Sequence, residues 1–383
     1  MVSKRVEEIP PSGIRKFFDL VQASEDLVSL GVGEPDFPTP EPIKDKAIRA
    51  IEEDYSSYTS NYGIPELRKE IASKLHEANG IKVDSEAGVV ITTGTSEALD
   101  LTFRALLNPG DEVIIPEPSY VCYYPGVYLA YATPVPVPTK EEEDFTFKAD
   151  AINEKITKKT KVILVATPNN PTGSVVPQRE LKGIAELAVE HNLLVISDEI
   201  YEELVYDDHK HVSIGSLPGM AERTITINGY SKSYAATGWR LGYAAGPKGL
   251  IDPIVKIHQY SMLCAPTISQ YALLGAFKLK SHVKSMLKEY DQRRRLLVKG
   301  LNELKGVSCF TPKGAFYTFP NITKTGLTSE EFAERLLKEN GVAVVPGTAF
   351  GPSGEGYIRC SYSVSRDTIK VALKRMKEFT DNL

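Results

Sequence analysis

A lysine stands in the segment Ser231-Lys232-Ser233-Tyr234-Ala235-Ala236-Thr237-Gly238-Trp239-Arg240, between two short apolar runs. An amine in such a place has two readings: a solvated surface charge, or a nucleophile that attacks a carbonyl carbon and afterwards carries a proton. Asp198 poses a similar choice. It follows the apolar run Leu193-Leu194-Val195-Ile196, so it either faces a ligand at the C-terminal end of a buried strand or caps the helix that follows. Gly94-Thr95-Ser96 lies at a strand-to-helix junction, where backbone amides and small side chains suit a phosphate, although many such turns are small and polar without binding one. Other chemistries lose support. Gly229-Tyr230-Ser231-Lys232-Ser233 lacks the final glycine of a nucleophile elbow, and no GxxxxGKS/T phosphate loop occurs. Cys122, Cys264, Cys309 and Cys360 are scattered with no CxxC pair and read as buried, reduced thiols. The histidines, His209 and His211 among them, show no ligand spacing and read as structural or exposed, so no metal is expected.

The elements that must carry these residues are legible from periodicity. Strands are predicted at 89–92, 112–115, 161–165, 193–196, 224–227 and 241–245, with helices starting near 96, 121, 178 and 249 between most of them. Near-continuous apolar strands with intervening helices indicate a mostly parallel sheet covered on both faces, hence an α/β class. Two helices come earlier, at about 40–52 and 65–77, the latter opening on Pro65. After about residue 280 the pattern changes. A charged amphipathic helix runs to about Leu304, and short strands then alternate with helices at 328–339 and 365–383, a second α+β unit.

The Ser231–Gly242 segment, together with Asn169-Asn170-Pro171-Thr172-Gly173, Asp198-Glu199-Ile200-Tyr201 and Arg359, resembles the class I and II pyridoxal-phosphate aminotransferases of fold type I. The likeness runs from Leu30-Gly31-Val32-Gly33-Glu34-Pro35-Asp36 to the last strand and is nearest the prokaryotic subgroup of aspartate and archaeal aromatic enzymes. It implies a large cofactor-binding domain with a mostly parallel seven-stranded sheet over residues 41–280. A smaller domain would combine residues 1–40 and 281–383. It implies pyridoxal 5′-phosphate as cofactor, with Lys232 as the Schiff-base lysine and proton shuttle. Asp198 would pair with the pyridine nitrogen, Tyr201 and Asn170 would hydrogen-bond the phenolic oxygen, and Tyr120 would stack on the ring where many relatives have Trp. Gly94, Thr95, Ser96, Ser231 and Arg240 would hold the phosphate, a guanidinium fork suiting a dianion. Arg359 would grip the substrate α-carboxylate with Gly33 backbone close by, and Tyr58 would reach the cofactor phosphate of a neighbouring subunit, which implies a homodimer with shared sites. As plain residues, Tyr120 also fits ordinary packing and Arg359 a surface strand.

The resemblance implies amino transfer from an L-amino acid, aromatic or aspartate-like, to a 2-oxo acid, 2-oxoglutarate foremost. The alternatives are a pyridoxal-phosphate lyase that eliminates across a C–S bond and a non-enzymatic cofactor-binding regulator, the latter needing an added DNA-binding module. Composition fits an enzyme of two domains: 383 residues, 42% hydrophobic, 25% charged. A formal charge of −5 offers no attraction to nucleic acid, no uncharged run reads as a membrane span, and residues 1–10 carry no apolar export signal, so a cytoplasmic location is expected. Arg293-Arg294-Arg295 reads as a solvated helix face, and the Lys140–Asp144 charge run as a surface loop. Arg104, the one cation of its helix, has two readings: an ion pair with Asp100 four residues earlier, or a reader of a distal substrate carboxylate.

Overall fold

The computed structural model describes residues 2–10, 13 and 27–383. A short first strand, β1 (Val28–Ser29), precedes seven strands that build one sheet: β2 (Val89–Thr92), β3 (Glu112–Glu117), β4 (Thr133–Pro138), β5 (Thr160–Ala166), β6 (Leu194–Asp198), β7 (Thr224–Gly229) and β8 (Gly242–Ala245). Their spatial order is β2-β8-β7-β6-β5-β3-β4, and β8 alone runs against its neighbours. Alternation along each strand divides the apolar residues between two cores. Val162 and Leu164 enter one cluster, backed by the Gly94–Leu106 and Lys248–Ser261 helices, while Ile163 and Val165 enter another, covered by Gln178–Glu190. Both faces are therefore dry, and each fully buried Ile or Leu stabilises the sheet by roughly 1.5–3 kcal/mol.

The strand missing from the sequence reading is β4, TPVPVP, whose prolines read as breakers. It lies at the sheet edge, parallel to β3 alone. Alternate residues of a parallel strand bond the same neighbour, so Pro134, Pro136 and Pro138 turn their missing N–H away from β3 and toward the open edge.

The C-terminal unit packs strands β9 (Tyr317–Thr318), β10 (Val342–Ala343), β11 (Val345–Pro346) and β12 (Ile358–Ser361) with helices Lys280–Asn302, Ser329–Asn340 and Arg366–Asp381. Thr328 and Glu331 form a reciprocal capping box that starts the second of these helices. β1 pairs parallel with β10, and Ser361 N–H donates to Leu30 O at 2.6 Å, so the early segment 28–33 is stitched into a late sheet. The arginine run departs from its expected solvated face. Arg293 and Arg294 are buried, 6% and 1% exposed, and only Arg295 faces water. Arg293 binds both oxygens of Asp36, and Arg294 binds Asp207 and Asp291. Asp36 and Asp207 from distant segments, with Asp291 one turn earlier on the same helix, supply what a buried guanidinium needs. Cys309 and Cys360 are buried as expected, whereas Cys122 and Cys264 are partly exposed.

Candidate active site

The C-terminal ends of β5, β6 and β7 open on one crevice, because parallel pairing sets Ala166 beside Asp198 and Asp198 beside Ile227. After β7 the chain makes a tight turn, with Tyr234 N–H bonded to Tyr230 O and Ala236 N–H to Ser231 O. Ala235 and Arg240 take φ values of +48° and +52°. Thr39 locks this loop from outside, donating to Ala235 O at 2.7 Å and accepting from Trp239 Nε1 at 3.0 Å. The result is a cavity of about 430 Å³ lined by Gly33, Thr95, Ser96, Tyr120, Asn170, Asp198, Tyr201, Ser231, Lys232, Arg240 and Arg359. Segments far apart in sequence thus deliver nearly every expected residue to one place. Gly94 lies just behind the wall. Tyr58 does not reach this cavity and is 82% exposed. Arg104 pairs with Asp100 at 3.4 Å on a half-exposed helix face and does not line the cavity.

Lys232 donates to Gly33 O at 2.6 Å and lies 5.7 Å from the ring centre of Phe316. Desolvation dominates its titration; with Arg359 and Arg240 nearby opposing a second positive charge, its pKa falls to about 8. Asp198 is 5% exposed, and burial raises its pKa to about 6 against the hydrogen bonds from Tyr123 Oη (2.8 Å) and Ile200 N–H (3.2 Å). Tyr201 and Tyr317 share a hydroxyl–hydroxyl bond of 2.9 Å. Arg359 is 2% exposed, stacked 4.4 Å from the Tyr317 ring, and bonded to Asn170 Oδ1 (3.0 Å) and Gly31 O (2.7 Å). Its Nε has no partner, and no carboxylate pairs with it among the described residues. A buried guanidinium held only by neutral groups is costly unless an anion joins it.

Val32, Glu34, Tyr123, Pro168, Ile200, Thr237 and Tyr317 also line the cavity without having been singled out in the sequence. Val32, Glu34, Ile200 and Thr237 nevertheless lie inside the quoted motifs, and Tyr123 stands one helical turn after Tyr120. His211 likewise gains a partner that its spacing did not reveal: Nε2 lies 2.9 Å from Glu199 Oε2 in a buried network. There Ser197, Ser213 and Asn79 also bond Glu199, and Lys74, Asn79 and Asn228 bond Glu202.

The cavity fits a planar phosphorylated cofactor. At one part of the wall Gly94, at φ +77°, begins a helix, and a Cβ there would meet Arg240 Nη2 at 2.6 Å; a Cβ on Gly242 would meet Thr95 N at 2.7 Å. Two glycines therefore let helix amides and a guanidinium converge, and Arg240 has no carboxylate partner among the described residues, only Thr237 O at 3.0 Å. A dianion is what such a cradle lacks. A ring lying between the Tyr120 face and Asp198 would find an aromatic platform and an acceptor for a ring N–H.

Comparison with known proteins gives the same class. The family described as "Aminotransferase class I and II" matches residues 25–376. The aspartate aminotransferase of Pyrococcus abyssi is 47% identical over 98% of this chain and 97% of its own length. Aromatic-amino-acid aminotransferase 2 of Thermococcus litoralis is 46% identical with the same coverage, 98% and 97%. The crystal structure of an aromatic aminotransferase from Pyrococcus horikoshii superposes with a TM-score of 0.92 at 46% identity, covering 96% of this chain and 99% of that one. The chain belongs to the class I and II aminotransferases. It is an enzyme of fold type I that uses pyridoxal 5′-phosphate. No helix among the described residues is long and apolar enough to cross a membrane.

Proposed function

We propose that the enzyme takes the amino group from an L-amino acid with an aromatic or aspartate-like side chain and passes it to a 2-oxo acid, 2-oxoglutarate foremost. The observation that carries this reading is Arg359: a buried cation that no carboxylate pairs with among the described residues, on the same cavity as a lysine of depressed pKa. Pyridoxal phosphate, when bound, supplies an aldehyde that condenses with amines and a ring that takes up the electrons released as the Cα proton leaves. Lys232, titrating near 8, is partly neutral at physiological pH, so its Nζ can attack a carbonyl carbon and then accept and return the Cα proton. Asp198 would accept a hydrogen bond from the protonated ring nitrogen, and Tyr201 and Asn170 would donate to the phenolic oxygen. Gly94, Thr95, Ser96, Ser231 and Arg240 would hold the phosphate, and Tyr120 would cover the ring. Arg359 orients the α-carboxylate in two parallel bonds beside Gly33. Tyr120 and Tyr317 on the wall support aromatic side chains, and the relatives' names support both substrate classes.

In the same reading residues 41–280 carry the cofactor, and residues 27–40 with 281–383 form the small domain; of the expected 1–40, residues 1, 11, 12 and 14–26 lie outside the described residues, and Arg5 and Glu8 bond Tyr128 of the large domain. Two copies assemble so that Tyr58 completes the neighbouring phosphate site. Its exposure supports this, as does the company of Tyr260 and Met262, 84% and 47% exposed, at the end of the Lys248–Ser261 helix, where Asn61 donates to Leu263 O at 2.7 Å. A half-reaction screen tests the donor class: purified holoenzyme is mixed with each L-amino acid and the cofactor band followed. Aromatic amino acids and aspartate should convert fastest, with an oxo acid released. Pyruvate and ammonia formed from a cysteine conjugate, without any oxo-acid acceptor, would favour the eliminating alternative. Mixing inactive Tyr58→Phe and Arg240→Ala variants should restore one native site per hybrid dimer; exchange without recovered activity would exclude a shared site.

A further inference from the structure

Tyr123 is the first residue of the helix Tyr123–Leu129, and its N–H bonds Tyr120 O at 3.0 Å, so a single turn presents both tyrosines to the cavity. Their rings meet edge-on, 5.6 Å apart at 81°. The Tyr123 side chain is 2% exposed, and its hydroxyl has one partner among the described residues, Asp198 Oδ2 at 2.8 Å. A phenol hydroxyl aimed at a carboxylate donates a charge-assisted bond that the protonated acid cannot use as well. The other groups that face Asp198 are the Ile200 N–H on its own segment, the Glu199 carboxylate beside it, Lys232 from the loop after β7, and Tyr120 with Cys122 from the turn before the helix. Burial and Glu199 favour the protonated acid, while Lys232 favours the anion through its charge, without a hydrogen bond to it; condensation with the cofactor's aldehyde would engage that amine. Among the described residues Tyr123 is thus the one side chain that donates a hydrogen bond to this carboxylate.

We propose that Tyr123 is a positioning residue that holds Asp198 ionised and fixes its free oxygen toward the cofactor's ring nitrogen, setting the lower pH limit at which the cofactor is bound with its ring protonated. This rests on the role of Asp198 given above. Burial already brings Asp198 close to the neutral range, so the loss of one donor moves its titration into the pH range in which the enzyme would be assayed. A charge-assisted bond of ordinary strength corresponds to a displacement of about one to two pH units.

The test measures pyridoxal-phosphate affinity of the resolved full chain from pH 5.5 to 9, by fluorescence quenching, for the parent, Tyr123→Phe and Asp198→Asn. Tyr123→Phe should bind as the parent does near pH 8.5 and lose affinity progressively below pH 7.5, its acid limb displaced upward by about one pH unit or more. A 3-fluorotyrosine placed at position 123, a stronger donor of nearly the same size, should displace the limb downward and guards against misfolding of the phenylalanine variant. An unmoved limb in both Tyr123 proteins, while Asp198→Asn loses affinity, overturns the role of Tyr123 and leaves that of Asp198 standing. If Asp198→Asn binds the cofactor with unchanged affinity and pH profile, the reading of Asp198 falls and this proposal falls with it.

Discussion

Exchanging Arg359 for lysine keeps the positive charge and removes the fork. In the parent the guanidinium is anchored by Asn170 Oδ1 at 3.0 Å and Gly31 O at 2.7 Å and stacks 4.4 Å from Tyr317 and 4.9 Å from Phe350, so its donors are fixed in direction before a substrate arrives. An ammonium in the same space reaches one carboxylate oxygen and forfeits the second parallel bond. One charge-assisted hydrogen bond contributes about 1.5–3 kcal/mol. The expected loss in kcat/KM for amino acids is therefore roughly ten- to a hundredfold. Steady-state kinetics with an aromatic amino acid give the number, and 2-phenylethylamine, which lacks the carboxylate, gives the control. The phosphate grip should hold, since none of Gly94, Ser96 or Arg240 bonds Arg359, whereas Asn170, which does, carries the change to the phenolic oxygen alone. A loss below about threefold, or an equal loss for the carboxylate-free amine, would refute the assignment of Arg359 to the α-carboxylate.

Lys232→Ala should abolish turnover yet keep the parent circular-dichroism spectrum and some non-covalent cofactor binding; turnover near the parent rate would end the central reading. Arg294→Met should lower stability by about 1.5–3 kcal/mol in denaturant titrations, because Asp207 and Asp291 lose a buried cation while keeping the exposed Arg295; a change under about 0.5 kcal/mol would show that Arg295 and water replace it. The His211–Glu199 pair predicts a pH window. Burial alone would lower the His211 pKa, but the Glu199 charge and hydrogen bond outweigh it and raise the value, so its contribution is complete below about pH 6.5 and fades as pH climbs through the raised value. Burial works against ionised Glu199, but His211, Ser213 and Ser197 outweigh it, so its contribution is complete above about pH 4.5 and fades as pH drops through the lowered value. His211→Gln should therefore cost most Tm between about pH 4.5 and 6.5 and less at pH 9; an equal cost at both would assign His211 to packing alone.

Much of this was readable from sequence because the informative residues are local. The central strands are apolar runs bounded by helices, and Lys232, Arg240 and Asp198 sit in contiguous segments beside them. What was not readable depends on contacts that no spacing encodes. Tyr123 meets a carboxylate 75 positions away, and Tyr201 meets Tyr317 across 116. Arg293 was taken for solvated because Asp36, which neutralises it, lies 257 positions earlier. Strands of two residues, such as β9 to β11, are too short to show a period, and β4 hides because proline signals a break unless the strand is already known to be at an edge.

The stitching of segment 28–33 into the last sheet has a consequence for biosynthesis. The proposed carboxylate clamp needs Gly31 O, made early, and Arg359, made late, and β1 finds its pairing partner only when residues 342–343 have been translated. The strands of the large sheet, spanning 89–245, are all complete before then. A nascent chain on the ribosome can therefore assemble the phosphate cradle and the lysine loop while its first strand still waits unpaired. Long sequence separation between paired strands slows closure, and an unpaired strand is open to wrong partners in the meantime. The order of translation thus makes the proposed grip on substrate the last part of the site to form, and no fragment that stops short of β12 can possess the Arg359–Gly31 bond.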